Sequence, residues 1–458
     1  MTERDISGGP LHDVIIVGAG YAGLSAALEL VDERLDVLVL EAAGRPGGRT
    51  LTEHRPEAGP VDHGGQWVGP TQTELLAMAA RFGCATFPTY DAGDHLERWE
   101  SSVHRAPTRG TSDAPGQIGY AAFVERVTAL AASVDTEAPW RTADAARLDS
   151  VTVESELDGL DDAAAARVRL AVQGVWAVEP RDLSMLHLAF YVASAGGWDQ
   201  LMLTLDHAQD SRFTDGAQGP ALAAADWLGD RVRLSAPVRS VTWSDSGAVV
   251  ETTDGPISAG AVIVALPPPA ARSVAFEPPL PYARRRWLER SVMGDVAKVH
   301  VTYERAFWRD LGDSGQASLF TDSPVGVVFD NSPDAAEVGV LVAFVYGDRL
   351  RTWAQLDDAD RRAAIVATLV DLHGPRAAHP VDYVEKNWTT DRWIGGAYAA
   401  TPAPGAWIEH GEHGWREPTG PIHWAGTEVA DVWNGYIDGA IRSGRRAARA
   451  VVAQLRDR

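Results

Sequence analysis

Asp13-Val14-Ile15-Ile16-Val17-Gly18-Ala19-Gly20-Tyr21-Ala22-Gly23 is the stretch that decides the fold. Its first five residues form a short β-branched apolar run, the pattern of a strand buried on both faces in a parallel sheet. A GxGxxG turn follows at Gly18, Gly20 and Gly23, and Ala22 to Val31 is a strong helix former. Asp36 to Leu40 is a second apolar strand, which closes a βαβ unit. In that context each glycine has a task. Gly18 permits the tight turn, Gly20 lets backbone approach a pyrophosphate, and Gly23 lets helix and strand pack closely. The helix start offers free N–H groups and a positive dipole end to phosphate. Glu41 ends the second strand, where a carboxylate accepts hydrogen bonds from ribose hydroxyls. The unit reads as a dinucleotide site and by itself does not separate NAD from FAD.

Working outward, 458 residues exceed what one core usually supports, so two domains or one large composite unit are expected. Further strands are expected at 237–243 and 247–252 as a hairpin, then at 261–266 and 340–345. Helices are expected at 73–83, 119–133, 160–175, 183–195, 219–228, 359–372 and 436–455. The Ser-, Pro-, Gly- and Thr-rich stretch 101–117 reads as a surface loop, and Met1 to Pro10 as a frayed leader. The net charge of −22 argues against nucleic acid and suits either simple solubility or attraction of cationic substrates. One cysteine, Cys84, excludes an internal disulfide and a cysteine-rich zinc site, and fits a reducing compartment. No histidine spacing suggests a metal, and the apolar runs are too short for a membrane span. A soluble cytoplasmic protein is expected, with a homodimer as one allowed assembly.

Three further segments carry a resemblance. Arg45-Pro46-Gly47-Gly48-Arg49-Thr50 directly follows the acid, and Asp62 to Gln72 reads Asp-His-Gly-Gly-Gln-Trp-Val-Gly-Pro-Thr-Gln. Residues 424–440 read Trp-Ala-Gly-Thr-Glu-Val-Ala-Asp-Val-Trp-Asn-Gly-Tyr-Ile-Asp-Gly-Ala. Together with the fingerprint, these resemble the flavin-containing amine oxidases of the monoamine oxidase type, and the resemblance runs through nearly the whole chain. It implies an α/β fold, with a Rossmann-like FAD domain of the two-dinucleotide-binding-motif type and an inserted α+β substrate domain of mixed sheet and helices. The FAD domain would take 11–90, 210–290 and 386–458, and the substrate domain 91–209 and 291–385. Many members carry an arginine two residues after the acid, where this chain has Ala43.

The resemblance also implies roles. Gly18, Gly20, Ala22, Gly23, Glu41, Gly48, Arg49 and Val238 would hold the nucleotide, with Arg49 neutralising phosphate charge. Gly65, Gln66, Trp67, Trp388, Gly426, Thr427 and Ile437 would lie against the flavin ring. Tyr398 and Tyr436 would flank the amine as an aromatic cage, whose ring faces favour an amine nitrogen. Lys298, the one lysine in the strand read over Gly294 to Val301, would contact a water beside the ring. Covalently flavinylated monoamine oxidases have a cysteine where this chain has Ala397, so non-covalent FAD is implied.

The implied reaction oxidises a primary amine to an imine, and water then gives the aldehyde while O2 becomes peroxide. Within the family the chain resembles putrescine-oxidase-like and monoamine-oxidase-like bacterial members. Val327 falls where diamine oxidases hold a carboxylate, which favours a monoamine with an apolar or aromatic tail. Phe190, Tyr191 and Trp198 are read either as pocket gates or as core. Two other readings stay open. One is a flavin oxidase of the same scaffold acting on a diamine or polyamine, a cyclic amine, an amino acid or a biosynthetic intermediate. The other is a non-catalytic flavin-fold binding protein.

Overall fold

The structure, a computed structural model, describes residues 11–100, 102–107, 113–334 and 337–457. The expected leader at Met1 to Pro10 lies outside them. The deciding unit folds as strand Leu11–Val17, helix Tyr21–Asp32 and strand Val37–Leu40. The two strands run parallel, from Val14 beside Val37 to Val17 beside Leu40, and all eight of these residues are buried. Burial on both faces is why the run is continuously apolar rather than alternating.

That pair lies inside an eight-stranded sheet. Across it run Val232–Arg233, Val37–Leu40, Leu11–Val17, Gly255–Val264, Gly247–Thr252, Ser240–Ser244 and Ala275–Glu277. Strand Gly255–Val264 is long enough to serve two partners on one edge. Its first half pairs antiparallel with Gly247–Thr252, and Val262 to Val264 pair parallel with Ile422–Trp424. This is how the end of the chain reaches its beginning. Helix Ile437–Arg456 then packs on helix Tyr21–Asp32 through small residues. A side chain at Gly444 would fall 2.1 Å from the Ala22 carbonyl oxygen, and Ser25 Oγ donates to the Ile441 carbonyl at 3.1 Å.

A seven-stranded sheet stands apart from the first. Its order is Asp382–Asn387, Val296–Tyr303, Gly339–Tyr346, Val327–Asp330, Asp313–Phe320, Asp94–Trp99 and Ser102–Pro107. The last strand corrects the expected loop at 101–117 over residues 102–107, while 101 and 108–112 lie outside the described residues. Ser102 to Pro107 pair antiparallel with Asp94 to Trp99, a tertiary contact that overrides a loop-like composition. Helices Gln117–Ala131, Asp162–Trp176 and Met185–Ala195 share one apolar core beside this sheet. Among the described residues no helix is long and apolar enough to cross a membrane.

Candidate active site

A cavity of about 550 Å³ opens at the ends of strands Leu11–Val17 and Val37–Leu40. Gly18, Gly20, Ala22, Glu41 and Gly48 line it from the N-terminal unit, and Val238 from the 237–238 loop. Gly18 has φ +105°, and a Cβ there would meet the Ala265 carbonyl oxygen at 2.8 Å. Gly20 caps helix Tyr21–Asp32 without any side-chain hydrogen bond, so backbone donors face the cavity. Glu41 is fixed by two amides, from Ala19 at 2.7 Å and Ala43 at 2.8 Å, and burial raises its pKa. The cradle therefore fits a dinucleotide: donors and dipole at one end of the cavity, a positioned carboxylate beyond. Gly23 is not a lining residue. A Cβ on it would lie 1.9 Å from the Gly18 carbonyl oxygen, so its role is to let the helix sit against the turn. Gly23→Ala is expected to displace that turn and yield protein with flavin occupancy at least tenfold lower. The absorbance ratio of the flavin band to the protein band checks this.

Arg49 corrects an expectation. It lines the cavity, but its guanidinium is bound to protein rather than left free for phosphate. Nη1 and Nη2 donate to the two oxygens of Glu428 at 2.5 and 3.1 Å, and Nη1 also donates to the Tyr398 carbonyl at 3.0 Å. Glu428 in turn accepts from the Ala400 amide at 3.1 Å. The pair thus ties three segments far apart in sequence: 45–50, 397–400 and 426–429. The Ala-Gly-Thr-Glu segment contained the signal, since a glutamate there needs a cation once buried. Arg45 performs local work instead, donating to the carbonyls of Gly48 at 2.9 Å and Thr50 at 2.8 Å.

Lys298 lies in strand Val296–Tyr303 and is 1% exposed. Its Nζ donates to the carbonyls of Asp62 at 2.6 Å and Gly64 at 2.9 Å, and to Gln66 Oε1 at 2.5 Å. Burial lowers its pKa, with the Asp62 carboxyl opposing that shift. Three acceptors match three ammonium donors, and a neutral amine would leave one acceptor without a proton. The arrangement therefore holds the charged form and uses every donor on the 62–66 turn. The expected water contact would require one of these bonds to be surrendered. Gln66 Nε2 donates to Asn331 Oδ1 at 2.9 Å, and Arg212 Nη1 donates to the same oxygen at 2.8 Å. Because Asn331 presents its oxygen to both, Gln66 must present its own oxygen to Lys298. Trp388, also buried, donates to the His63 carbonyl at 2.7 Å and lines the cavity from the other side.

The C-terminal segment completes the wall with Gly426, Thr427, Tyr436 and Ile437. Gly426 has φ +137°, and its amide donates to Ser443 Oγ at 3.0 Å. Thr427 Oγ1 donates to the Tyr436 carbonyl at 2.8 Å, which sets the residue that caps helix Ile437–Arg456. Gly65 touches Ile437, since a Cβ there would lie 3.2 Å from Ile437 Cδ1.

A second cavity of about 260 Å³ shares Gly65, Lys298, Tyr398, Tyr436 and Ile437 with the first. Tyr191 and Val327 line it as expected, whereas Gln66 and Trp67, expected against the flavin ring, line this second cavity and not the first. Trp67 meets Phe329 edge-on with centroids 5.1 Å apart. Tyr398 donates its hydroxyl to Tyr346 Oη at 3.1 Å, a partner missed because nothing marks Tyr346 among the apolar residues of strand Gly339–Tyr346. Burial raises the pKa of both Tyr398 and Tyr436, so both stay neutral phenols. Tyr436 is buttressed by Trp433 at 4.8 Å and Tyr191 at 6.1 Å. Of the suspected gates, Tyr191 alone lines the cavity. Trp198 corrects the expected pocket set. It sits one layer back, donating from Nε1 to Tyr120 Oη at 3.2 Å, and Tyr120 is the lining residue. Phe190 is core, packed edge-on against Trp407 at 5.1 Å. Ala397 and Tyr398 are joined by a cis peptide.

Residues 21–452 match the family model of the flavin-containing amine oxidoreductases. AofH of Mycobacterium tuberculosis, itself assigned to the flavin-containing monoamine oxidases, is 40% identical over 448 residues, 97% of each chain. Cyclohexylamine oxidase from Brevibacterium oxydans superposes with a TM-score of 0.94 at 32% identity, covering 98% of this chain and all of that one. Putrescine oxidase bound to putrescine superposes with a TM-score of 0.92 at 33% identity, covering 97% and 100%. These likenesses bear out the α/β fold with its Rossmann-like FAD domain and the use of FAD. With both cavities lined by Lys298, Tyr398 and Tyr436, the chain belongs to the flavin-containing amine oxidoreductases.

Proposed function

We propose that this FAD-dependent amine oxidase acts on a primary monoamine with an apolar or aromatic tail, and that it holds FAD without a covalent bond. The observation that carries the substrate reading is the wall of the second cavity, which is mainly aromatic and aliphatic and includes no aspartate or glutamate among the described residues. A diamine would bring a second ammonium to that wall, and burying it without a carboxylate is costly. Val327 stands on the wall at the place where the carboxylate was sought. An amino-acid substrate would need a cation. Arg167 borders the cavity, but it is already paired with Glu97.

Gly18, Gly20, Glu41, Gly48, Gly426 and Thr427 would hold FAD, which would supply two-electron oxidation of the amine to the imine with O2 as the final acceptor and peroxide as its product; hydrolysis of the imine to the aldehyde needs only water. The protein supplies position and surroundings. Tyr398 and Tyr436 flank the amine nitrogen with neutral ring faces, and Tyr346 and Trp433 hold those rings. Lys298 fixes the 62–66 turn and keeps a positive charge beside the junction of the cavities. The amine must react with its lone pair free, so activity should rise with pH toward the substrate's effective pKa. The two sheets support dividing the chain into FAD and substrate units at the boundaries given above.

Non-covalent FAD rests on Ala397, which offers no nucleophile beside Tyr398, and on Cys84, which lines neither cavity. Acid precipitation is expected to leave the yellow colour in the supernatant; flavin that stays with the pellet would refute this. A peroxide-coupled comparison of benzylamine, butylamine and putrescine tests the substrate reading. Monoamines should be preferred by at least tenfold in kcat/KM, and preference for putrescine would overturn it.

A further inference from the structure

The substrate cavity is mainly apolar, and besides Gln66, Gln209, Lys298 and Ser318 one buried guanidinium, that of Arg167, borders it. Helix Asp162–Trp176 presents Arg167, Leu170, Ala171, Gly174 and Val175 to it, the spacing of a single helical face. The C-terminal end of this face is the flavin-proximal one, because Trp176 packs on Tyr191 at 4.9 Å and Tyr191 touches Tyr436. Arg167 therefore stands roughly 10 Å farther out than Gly174 along the helix axis.

Its guanidinium is held firmly. Nη1 donates to Glu97 Oε1 at 3.1 Å, Nη2 donates to Glu97 Oε2, and Nε donates to the Pro115 carbonyl at 2.6 Å. Phe320 and Trp99, themselves stacked at 4.1 Å, lie against the cation with centroids 5.1 and 5.4 Å away. Arg167 and Glu97 are 8% and 7% exposed. Three of the five guanidinium N–H donors are engaged, and two have no partner among the described residues. Glu97 is not among the lining residues, so the cavity meets the cation and not its partner.

We infer that Arg167 is a specificity-determining residue that reads the far end of the amine, favouring a tail with a neutral hydrogen-bond acceptor such as an ether or phenol oxygen. The same charge repels a second ammonium. A carboxylate fits poorly, since with Glu97 it would leave one cation between two buried anions. This inference rests on the monoamine reading and gives it a sharper substrate class.

Three phenethylamines of equal reach test it, bearing 4-methoxy, 4-ethyl or 4-aminomethyl groups. Wild type should prefer the methoxy over the ethyl compound by at least about tenfold in kcat/KM, the weight of one hydrogen bond to a charged group. It should use the aminomethyl compound least. In Arg167→Met the methoxy-to-ethyl ratio should fall to near one. The aminomethyl compound should gain at least tenfold relative to ethyl, because Glu97 is then free to meet it. In Arg167→Met/Glu97→Met, which leaves no unpaired buried charge, the methoxy preference should stay lost and the aminomethyl gain should vanish. Wild type blind to methoxy against ethyl, or ratios unchanged in the double variant, would overturn the role of Arg167 while leaving the amine oxidase reading intact. If no monoamine yields peroxide, the monoamine reading falls and this inference with it.

Discussion

Lys298→Met is expected to lower kcat/KM for the preferred monoamine by about a hundredfold or more, with kcat falling alongside. Methionine matches the length of lysine and donates nothing. The Asp62 and Gly64 carbonyls and Gln66 Oε1 would each lose a partner, and an unmet buried acceptor costs about 1–3 kcal/mol. The consequence reaches the flavin site by contact. Gly65 is pressed against Ile437, the first residue of the C-terminal helix, and both line the two cavities. A relaxed 62–66 turn therefore shifts a wall shared by both cavities. Steady-state kinetics together with a thermal melt measure the two effects, and a Lys298→Met variant with wild-type turnover would show that the turn needs no such anchor.

Glu428→Leu carries the second large effect. Leucine there leaves the Arg49 guanidinium beside an apolar side chain in a site where Glu428 is only 6% exposed and Arg49 22%. Removing one member of a buried pair typically costs about 3–5 kcal/mol, and the partial exposure of Arg49 places this one near 3. Flavin affinity should fall too, because the pair joins the Gly47–Gly48 turn to the Tyr398 backbone and to the segment of Gly426 and Thr427. Arg49→Leu/Glu428→Leu should recover part of the lost stability, since neither charge is then stranded, but not the flavin affinity. Denaturant midpoints and flavin titrations on the three variants report these terms separately. A single variant as stable as wild type would contradict the assigned coupling.

The parts of the fold legible in sequence were those written in local pattern. Strand Leu11–Val17 could be read because burial on both faces forces an unbroken apolar run, and the GxGxxG turn because its sterics admit glycine alone at Gly18 and Gly23. The long helices were legible through their period. Ser102–Pro107 was not, because a short edge strand in a loop-like composition exists only by virtue of its neighbour. The site divides the same way. Lys298, Tyr398 and Tyr436 could be picked out because they stand in recognisable segments, and both cavities bring them together. Partnerships were not legible. Arg49 looks like a phosphate ligand until Glu428 is placed beside it, and Trp198 looks like a gate until Tyr120 is found in front of it. Arg167 gave no signal, since an arginine in an amphipathic helix is ordinarily a solvated one, and only the fold buries it against Glu97.

If the two distant ends of the chain build one flavin site that oxidises amines, substrate must reduce the bound flavin and air must reoxidise it. Anaerobic mixing of the purified protein with benzylamine, followed by admission of air, tests this most directly. The protein is expected to be yellow, its flavin band bleaching with amine and no added NAD, then returning in air with peroxide formed in step. A protein that binds no flavin, or whose flavin stays oxidised with every monoamine offered, would contradict this.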